Sequence, residues 1–258
     1  MSRYDEYSTR YRNIAFERRG GVVQLRLHTE GGALKWGSDE GCIHAQLTDA
    51  FRDLARDPEL RTVILTGTGE VFCTELNSAE NSREPMTATR WGRLLREGRE
   101  LLQTFLEIEV PVIAAVNGPV HIHSELPGLA DIVLASSTAE FADRAHFVYG
   151  VVPADGVQIV WPMLLGVNRA RYFLLTGQAI DATEALRLGV VGEVLTPDAL
   201  QARAWALGAE FERKPLLALR HTRLAFTRRI RRELDADIDL GLALEGLGII
   251  SLYEQSPR

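Results

Sequence analysis

An α/β fold with a largely parallel sheet is predicted by three features of this sequence. Short apolar runs recur, among them Val63-Ile64-Leu65 and Val110-Pro111-Val112-Ile113-Ala114-Ala115-Val116. Longer segments between them place apolar residues three and four apart, as at Leu47, Phe51 and Leu54, which is the helical period. Turn signals such as Gly67-Thr68-Gly69 and Asn117-Gly118-Pro119 close the runs. Strands that alternate with helices imply a parallel sheet joined by right-handed crossovers.

Taken in order, Asn13 to Thr29 alternates apolar and polar residues about Gly20-Gly21 and reads as a β-hairpin, with Val23, Leu25 and Leu27 on one face. Trp36 follows in a loop. A helix is expected from about Asp39 to Ala55, then a buried strand over Arg61 to Thr66, with Val71-Phe72-Cys73 pairing at an edge. Asn77 to Thr87 is polar, carries Pro85 and reads as a surface loop leading to a helix over Thr89 to Ile108. Strands are expected at Val110 to Val116, Asp131 to Ala135 and Glu140 to Ala142. Helices follow over Gly156 to Leu165, Asn168 to Thr176 and Ala182 to Leu188, with a strand at Val190 to Leu195. Two helices finish the chain, Asp198 to Arg213 and Pro215 to about Leu252. The last is apolar on almost every side past Ile238, which points to burial against the body or another subunit.

The chain has 258 residues, 46% of them apolar, enough for one large core. Its net charge of −6 gives no footprint for nucleic acid, and the run Arg228, Arg229, Arg231 and Arg232 reads as a solvated helix face. Met1 to Arg12 lacks the apolar core of a signal peptide, and no stretch approaches roughly 20 uncharged apolar residues. A soluble, cytoplasmic protein with no membrane partner is expected. Cys42 and Cys73 fit no zinc or redox motif and read as inert thiols.

The candidate site gathers around Val110 to Asp155. His123 stands in the polar turn after the strand ending at Val116. His146 and Asp155 flank an apolar loop that can bring its ends together. A carboxylate bonded to one ring nitrogen would fix the tautomer and leave the other nitrogen as a base; the bland reading of Asp155 is a helix N-cap. His44 is an imidazole on the apolar face of a helix. Glu245 shares a stripe with Ile238, Leu242 and Ile249, where a carboxylate is unfavourable unless paired, protonated or used. The Trp36 indole N–H is a donor suited to a carbonyl oxygen. His121 points the opposite way from His123 in an extended segment and reads as structural. A metal site would draw on His121, His123 and Glu125, joined by His146 and Asp155, but that spacing is only permissive. There is no Gly-x-Ser-x-Gly elbow, P-loop or dinucleotide fingerprint, so acid–base chemistry or water activation in an apolar pocket is the preferred reading.

The runs Pro111 to Gly118, Ala130 to Ala135 and Leu174 to Gln178, with Val63 to Gly67 and the segment ending at Val191, resemble the crotonase (enoyl-CoA hydratase/isomerase) superfamily along nearly the whole chain. The resemblance implies a spiral of ββα units over 1–196 and a C-terminal helical region over 197–258 that trimerises, with trimers often paired into hexamers. The sequence departs from CoA-binding members at their oxyanion-forming positions. His121-Ile122-His123 stands where those members carry glycines, Phe72-Cys73-Thr74-Glu75-Leu76 forms the other segment, and Ala145-His146 stands where hydratases carry a catalytic Glu.

That altered pattern is similar to the β-diketone hydrolases of the 6-oxocamphor hydrolase type, through His28-Thr29-Glu30-Gly31, Trp36, His44, Asn117-Gly118-Pro119-Val120 with His123, His146-Phe147, Pro153-Ala154-Asp155-Gly156, Val160-Trp161-Pro162 and Gly241-Leu242-Ala243 before Glu245. The resemblance implies His146, Asp155, His123, His44 and Glu245 as catalytic residues, with Trp36 and His123 binding substrate. It implies a retro-Claisen hydrolysis of a cyclic, non-enolisable 1,3-diketone to a keto acid, needing no metal, CoA or other cofactor. Ser78 to Asn81 stands where the similar enzymes have aromatic pocket residues, so the preferred diketone would differ. A CoA-dependent hydratase or isomerase is the alternative.

Overall fold

The computed structural model describes residues 2–39, 41–78 and 86–255. A short helix α1 (Arg3–Tyr7) precedes the hairpin β1 (Ile14–Arg19) and β2 (Val22–Leu27), which turns at Gly20 with φ 58°. Next come β3 (Lys35–Trp36), α2 (Ile43–Ala55), β4 (Thr62–Thr66), β5 (Glu75–Leu76), α3 (Ala88–Glu107), β6 (Val112–Val116), α4 (Glu125–Gly128) and β7 (Ile132–Ser136). The second half holds β8 (Glu140–Phe141), a 3-10 turn over Phe147–Tyr149, α5 (Val157–Leu165), α6 (Val167–Thr176), β9 (Ile180–Asp181), α7 (Ala182–Arg187), β10 (Glu193–Leu195), α8 (Pro197–Glu212) and α9 (Leu216–Gln255). Much of the polar stretch expected to loop out after Asn77, including Ala79 to Asn81 of the altered pocket segment, lies outside the described residues.

Six strands pair in the order β1-β2-β4-β6-β7-β10, antiparallel only within the hairpin and parallel elsewhere. Both faces are covered. Leu25, Val63, Leu65, Val112 and Ala114 pack with Leu47, Phe51, Leu101 and Phe105 from α2 and α3. Val22, Ile64, Ile113, Ala115 and Leu134 pack on the other side with Leu200, Ala204, Trp205 and Leu207 of α8. A strand buried on both faces has no polar side to show, which is why these runs are continuous rather than alternating.

Two local expectations change. Trp36 lies not in a loop but on β3, which pairs in parallel with β5. Val71-Phe72-Cys73 forms no ladder, only isolated bridges from Val71 to Thr68 and from Cys73 to Val120. The Phe72 and Cys73 N–H groups both donate to the Pro119 carbonyl, at 3.0 and 3.2 Å. The Asn117 side chain accepts from the Gly67 N–H at 3.0 Å and donates to the Gly69 and Val71 carbonyls at 2.8 and 2.9 Å. One asparagine thus ties together the turns that follow two neighbouring strands. Gly118 completes the contact, because a Cβ there would collide with the Glu70 carbonyl.

Helix α9 runs for 40 residues. Its inward stripe, Leu234, Ile238, Leu242 and Glu245, is buried, while Leu240, Leu244 and Leu247 face outward and are exposed. Near its start the buried Arg223 guanidinium donates to the carbonyls of Phe105, Leu106 and Ile108 at the end of α3. It also meets Asp131 Oδ2 at 2.7 Å, and the same oxygen accepts from the Val112 N–H at 2.8 Å. The carbonyls at a helix end have no partner within the helix, so the arginine satisfies them and joins α3, β6 and β7 to α9. Arg223→Met should lower the unfolding free energy by about 3–5 kcal/mol, the usual effect of leaving one member of a buried pair alone. Urea titration of the two proteins checks this, and an unchanged midpoint would refute the latch.

Candidate active site

Trp36, His44, His123, His146, Asp155 and Glu245 all line one cavity of about 280 Å³. They come from β3, the N-terminus of α2, the turn after β6, the loop after β8, the residue before α5 and the inward stripe of α9. Leu76, Trp91, Leu94, Ile122, Val151 and Ile249 supply apolar wall. The Trp91 indole N–H donates to the Leu242 carbonyl at 2.8 Å, pinning α3 to α9 beside Glu245. His121 is elsewhere: its Nε2 lies 2.7 Å from Glu140, in keeping with a structural role.

Backbone strain concentrates at these residues. His123 and Asp155 have φ of 51° and 55°, the left-handed region that non-glycine residues rarely adopt. Asp155 caps no helix. Gly156, with φ 93°, is the N-cap of α5, and its N–H donates to Gln158 Oε1 at 3.0 Å. A Cβ at Gly156 would come within 2.6 Å of Leu102 Cδ1, so the left-handed pair Asp155-Gly156 turns the carboxylate into the cavity instead.

His146 is the most elaborately partnered imidazole. The loop to Asp155 does bring its ends together, but the carboxylate bonded to a ring nitrogen is Asp143 rather than Asp155. Asp155 Oδ2 is 3.9 Å from Nε2, while Nδ1 is held at 2.7 Å by Asp143 Oδ1. Glu245 Oε1 also faces Nε2, at 3.6 Å. The tautomer is therefore set by Asp143, three residues back along the same loop, a partner that sequence reasoning missed. His123 repeats the arrangement: Glu125 Oε1 holds Nδ1 at 2.7 Å, and Asp155 Oδ2 stands 4.0 Å from Nε2. Trp36 reaches the site and stacks on His123, ring centroids 3.8 Å apart at 28°. His44 lies edge-on to Trp36, with its Nδ1 3.6 Å from Glu97, which is clamped by Arg93.

Burial and charge push these groups apart. Desolvation opposes protonation of His146, but the hydrogen bond to Asp143 and the nearby Asp155 and Glu245 carboxylates outweigh it and raise its pKa well above the usual value. His123 is also raised: burial pulls it down, and Glu125 and Asp155 more than compensate. Asp155 is partly buried, which favours its neutral form, yet the facing His146 ring and the charges of His123, His146 and His44 hold it at about 2. Glu245 is pushed up to about 7 by burial and by the Asp155 charge, against the pull of His146 and His123. One carboxylate is kept ionised and a neighbouring one is kept near neutrality, the pattern that separates acid from base.

The ligand-capable atoms of His146, Asp155 and Glu245 lie within 4.8 Å of one another. The set based on His121 is not assembled, since that ring is turned to Glu140.

Comparison with known proteins places the chain. The family model described as enoyl-CoA hydratase/isomerase matches residues 39–245. A beta-diketone hydrolase from the cyanobacterium Anabaena, solved bound to (S)-3-oxocyclohexyl acetic acid, superposes with a TM-score of 0.91 at 42% identity, over 96% of this chain and 98% of that one. Carnitinyl-CoA dehydratase of Citrobacter koseri is 30% identical over 80% of this chain and 77% of its own. (E)-benzylidenesuccinyl-CoA hydratase of Thauera aromatica is 35% identical over 63% of each. With its parallel sheet, covering helices and this family match, the chain belongs to the enoyl-CoA hydratase/isomerase (crotonase) superfamily of enzymes.

Proposed function

We propose that the protein hydrolyses a carbon–carbon bond of cyclic, non-enolisable 1,3-diketones. The observation that carries this reading is the convergence of two carboxylate-bound imidazoles on Asp155 in a mostly apolar cavity. His146 Nε2 takes a proton from water, and the water oxygen bonds to one carbonyl carbon. The oxyanion so formed is held by His123, whose cationic form is favoured by the stacked Trp36 face. The carbon–carbon bond then breaks, its electron pair delocalising onto the second carbonyl as an enolate. Protonation of the enolate carbon by Glu245 gives a keto acid, while His44 holds the surviving carbonyl. The keto acid bound to the Anabaena enzyme supports the reading: a ring ketone with an acetic acid arm is what water leaves after opening a bridged bicyclic 1,3-diketone.

The CoA-thioester alternative needs backbone N–H donors around the substrate carbonyl. The His121 and Ile122 N–H groups both donate to the Cys73 carbonyl, at 2.8 and 3.3 Å, and the cavity is lined by the titratable residues His44, His123, His146, Asp155 and Glu245. This supports diketone over thioester chemistry, although the curated relatives include several enoyl-CoA hydratases. No described helix is long and apolar enough to cross a membrane. The exposed Leu240, Leu244 and Leu247 of α9 support self-association into trimers or pairs of trimers.

A panel of bicyclic 1,3-diketones with product identification tests the reaction. His146→Ala should reduce turnover by about 100- to 10,000-fold, the usual loss with a general base. Hydration of crotonyl-CoA at ordinary enzyme rates, with the diketones inert, would reverse the assignment. The pH profile carries its own signature. The base must be neutral, so kcat/KM rises with pH as His146 loses its proton, above the ordinary imidazole range. The acid must be protonated, so the rate falls as Glu245 ionises at about 7. The two limbs overlap into a narrow bell whose apparent values belong to the coupled pair. Glu245→Gln should remove the falling limb and leave a plateau at a lower ceiling; a bell that survives would exclude Glu245 as the acid. Sedimentation velocity should find trimers or hexamers, and a monomer at micromolar concentration would count against α9 as an assembly surface.

A further inference from the structure

We propose that Asp143 and Glu125 are positioning residues that give His146 and His123 opposite duties, one as base and the other as cationic donor. The duties rest on the diketone reading; the pairing itself rests on geometry. Each carboxylate sits 2.7 Å from the Nδ1 of its histidine. Both are almost wholly buried, Glu125 at 0% and Asp143 at 2% exposure. Neither lines the cavity, so neither meets substrate. Among the described residues, the second oxygen of each is buried without a hydrogen-bond partner, and the only further bond to the first is the Ala145 N–H on Asp143 Oδ1, at 3.3 Å. A buried carboxylate so sparsely bonded is unfavourable as scaffold alone, and the imidazole is what stabilises its charge.

The same Nδ1 bond serves either purpose, according to whether Nε2 is stripped of its proton or keeps it. His146 faces Asp155 and Glu245 across Nε2, with His123 the nearby cation. With its Nδ1 proton given to Asp143, the neutral ring presents a lone pair at Nε2, which accepts the proton of water. The Nδ1 proton stays on the ring throughout, so the aspartate orients and stabilises without itself being protonated. His123 faces Asp155 alone across Nε2, with Trp36 stacked on its plane and His146 nearby. With its Nδ1 proton given to Glu125, this ring has an Nε2 proton to offer only when doubly protonated. That state binds a developing oxyanion, and Glu125 is the counter-charge that sustains it.

The test is a histidine titration that needs no substrate. The six histidines, labelled with 13C at Cε1, are assigned through single His→Gln variants and followed by NMR against pH. Asp143→Asn, which keeps the shape and removes the charge, should lower the His146 midpoint by about 1–3 units and leave that of His123 in place. Glu125→Gln should do the converse. In wild type, both Nδ1 protons should resonate far downfield and exchange slowly, a second reading that holds even if an amide variant fails to fold. Midpoints unmoved in folded variants, or ordinary Nδ1 protons in wild type, would overturn the proposal. On a cleaved diketone, Asp143→Asn should reduce kcat by about 10,000-fold with KM little changed and with the rising limb of kcat/KM moved to lower pH. If the midpoints move as expected but wild type cleaves no diketone, the positioning assignment stands and the diketone reading falls.

Discussion

Several ionisable groups share one poorly solvated space, and the geometry of the site follows from the need to keep their charges balanced. Both His123 and His146 are held above the usual imidazole range, Glu125, Asp143 and Asp155 face them, and Glu245 is pushed up to about 7. Isolated ions in such surroundings would be highly unfavourable, so each must sit within reach of an opposite charge. The strained φ values of His123 and Asp155 are the backbone's contribution to meeting that requirement. They are tolerated because the neighbouring segments are fixed by other means, the Asn117 bonds on one side and the Gly156 turn over Leu102 on the other.

The superfamily scaffold delivers a turn after β6 and a loop after β8 to the same end of the sheet. In this chain the N–H groups of His121 and Ile122 are spent on the Cys73 carbonyl, so the polar work of the cavity passes to side chains. Side-chain donors differ from backbone ones in that they titrate. A site built from them acquires a pH dependence that an amide pocket lacks, and with it a need for outer carboxylates that hold each ring in one protonation state.

The parallel sheet was legible because strands buried on both faces leave continuous apolar runs between helical stretches, as at Val63-Ile64-Leu65 and Val112 to Val116. The pairing of β3 with β5 was not, since two-residue strands carry no periodicity. The convergence of His44, His123, His146, Asp155 and Glu245 was legible through motif resemblance, with spacing only permitting it. Which face of His146 meets which aspartate was hidden for a physical reason. Carboxylates nine residues ahead and three residues back can both reach the ring, and the rotation of the ring, fixed by packing, decides between them. Trp36 was placed near the carbonyl as an N–H donor; its stacking on His123 depends on the β3 register, which the sequence does not announce.

Helix α9 joins the Arg223 latch to Glu245 along a single unbroken rod. Glu245 lies 22 residues on from Arg223, about 33 Å at the usual helical rise. Over that arm a tilt of roughly 2° at the latch moves the Glu245 carboxylate by about 1 Å, a displacement large enough to change rates where proton transfer depends on distance. The helix is therefore held at both ends of that arm, by the arginine's grip on α3, β6 and β7 and by the Trp91 bond beside Glu245.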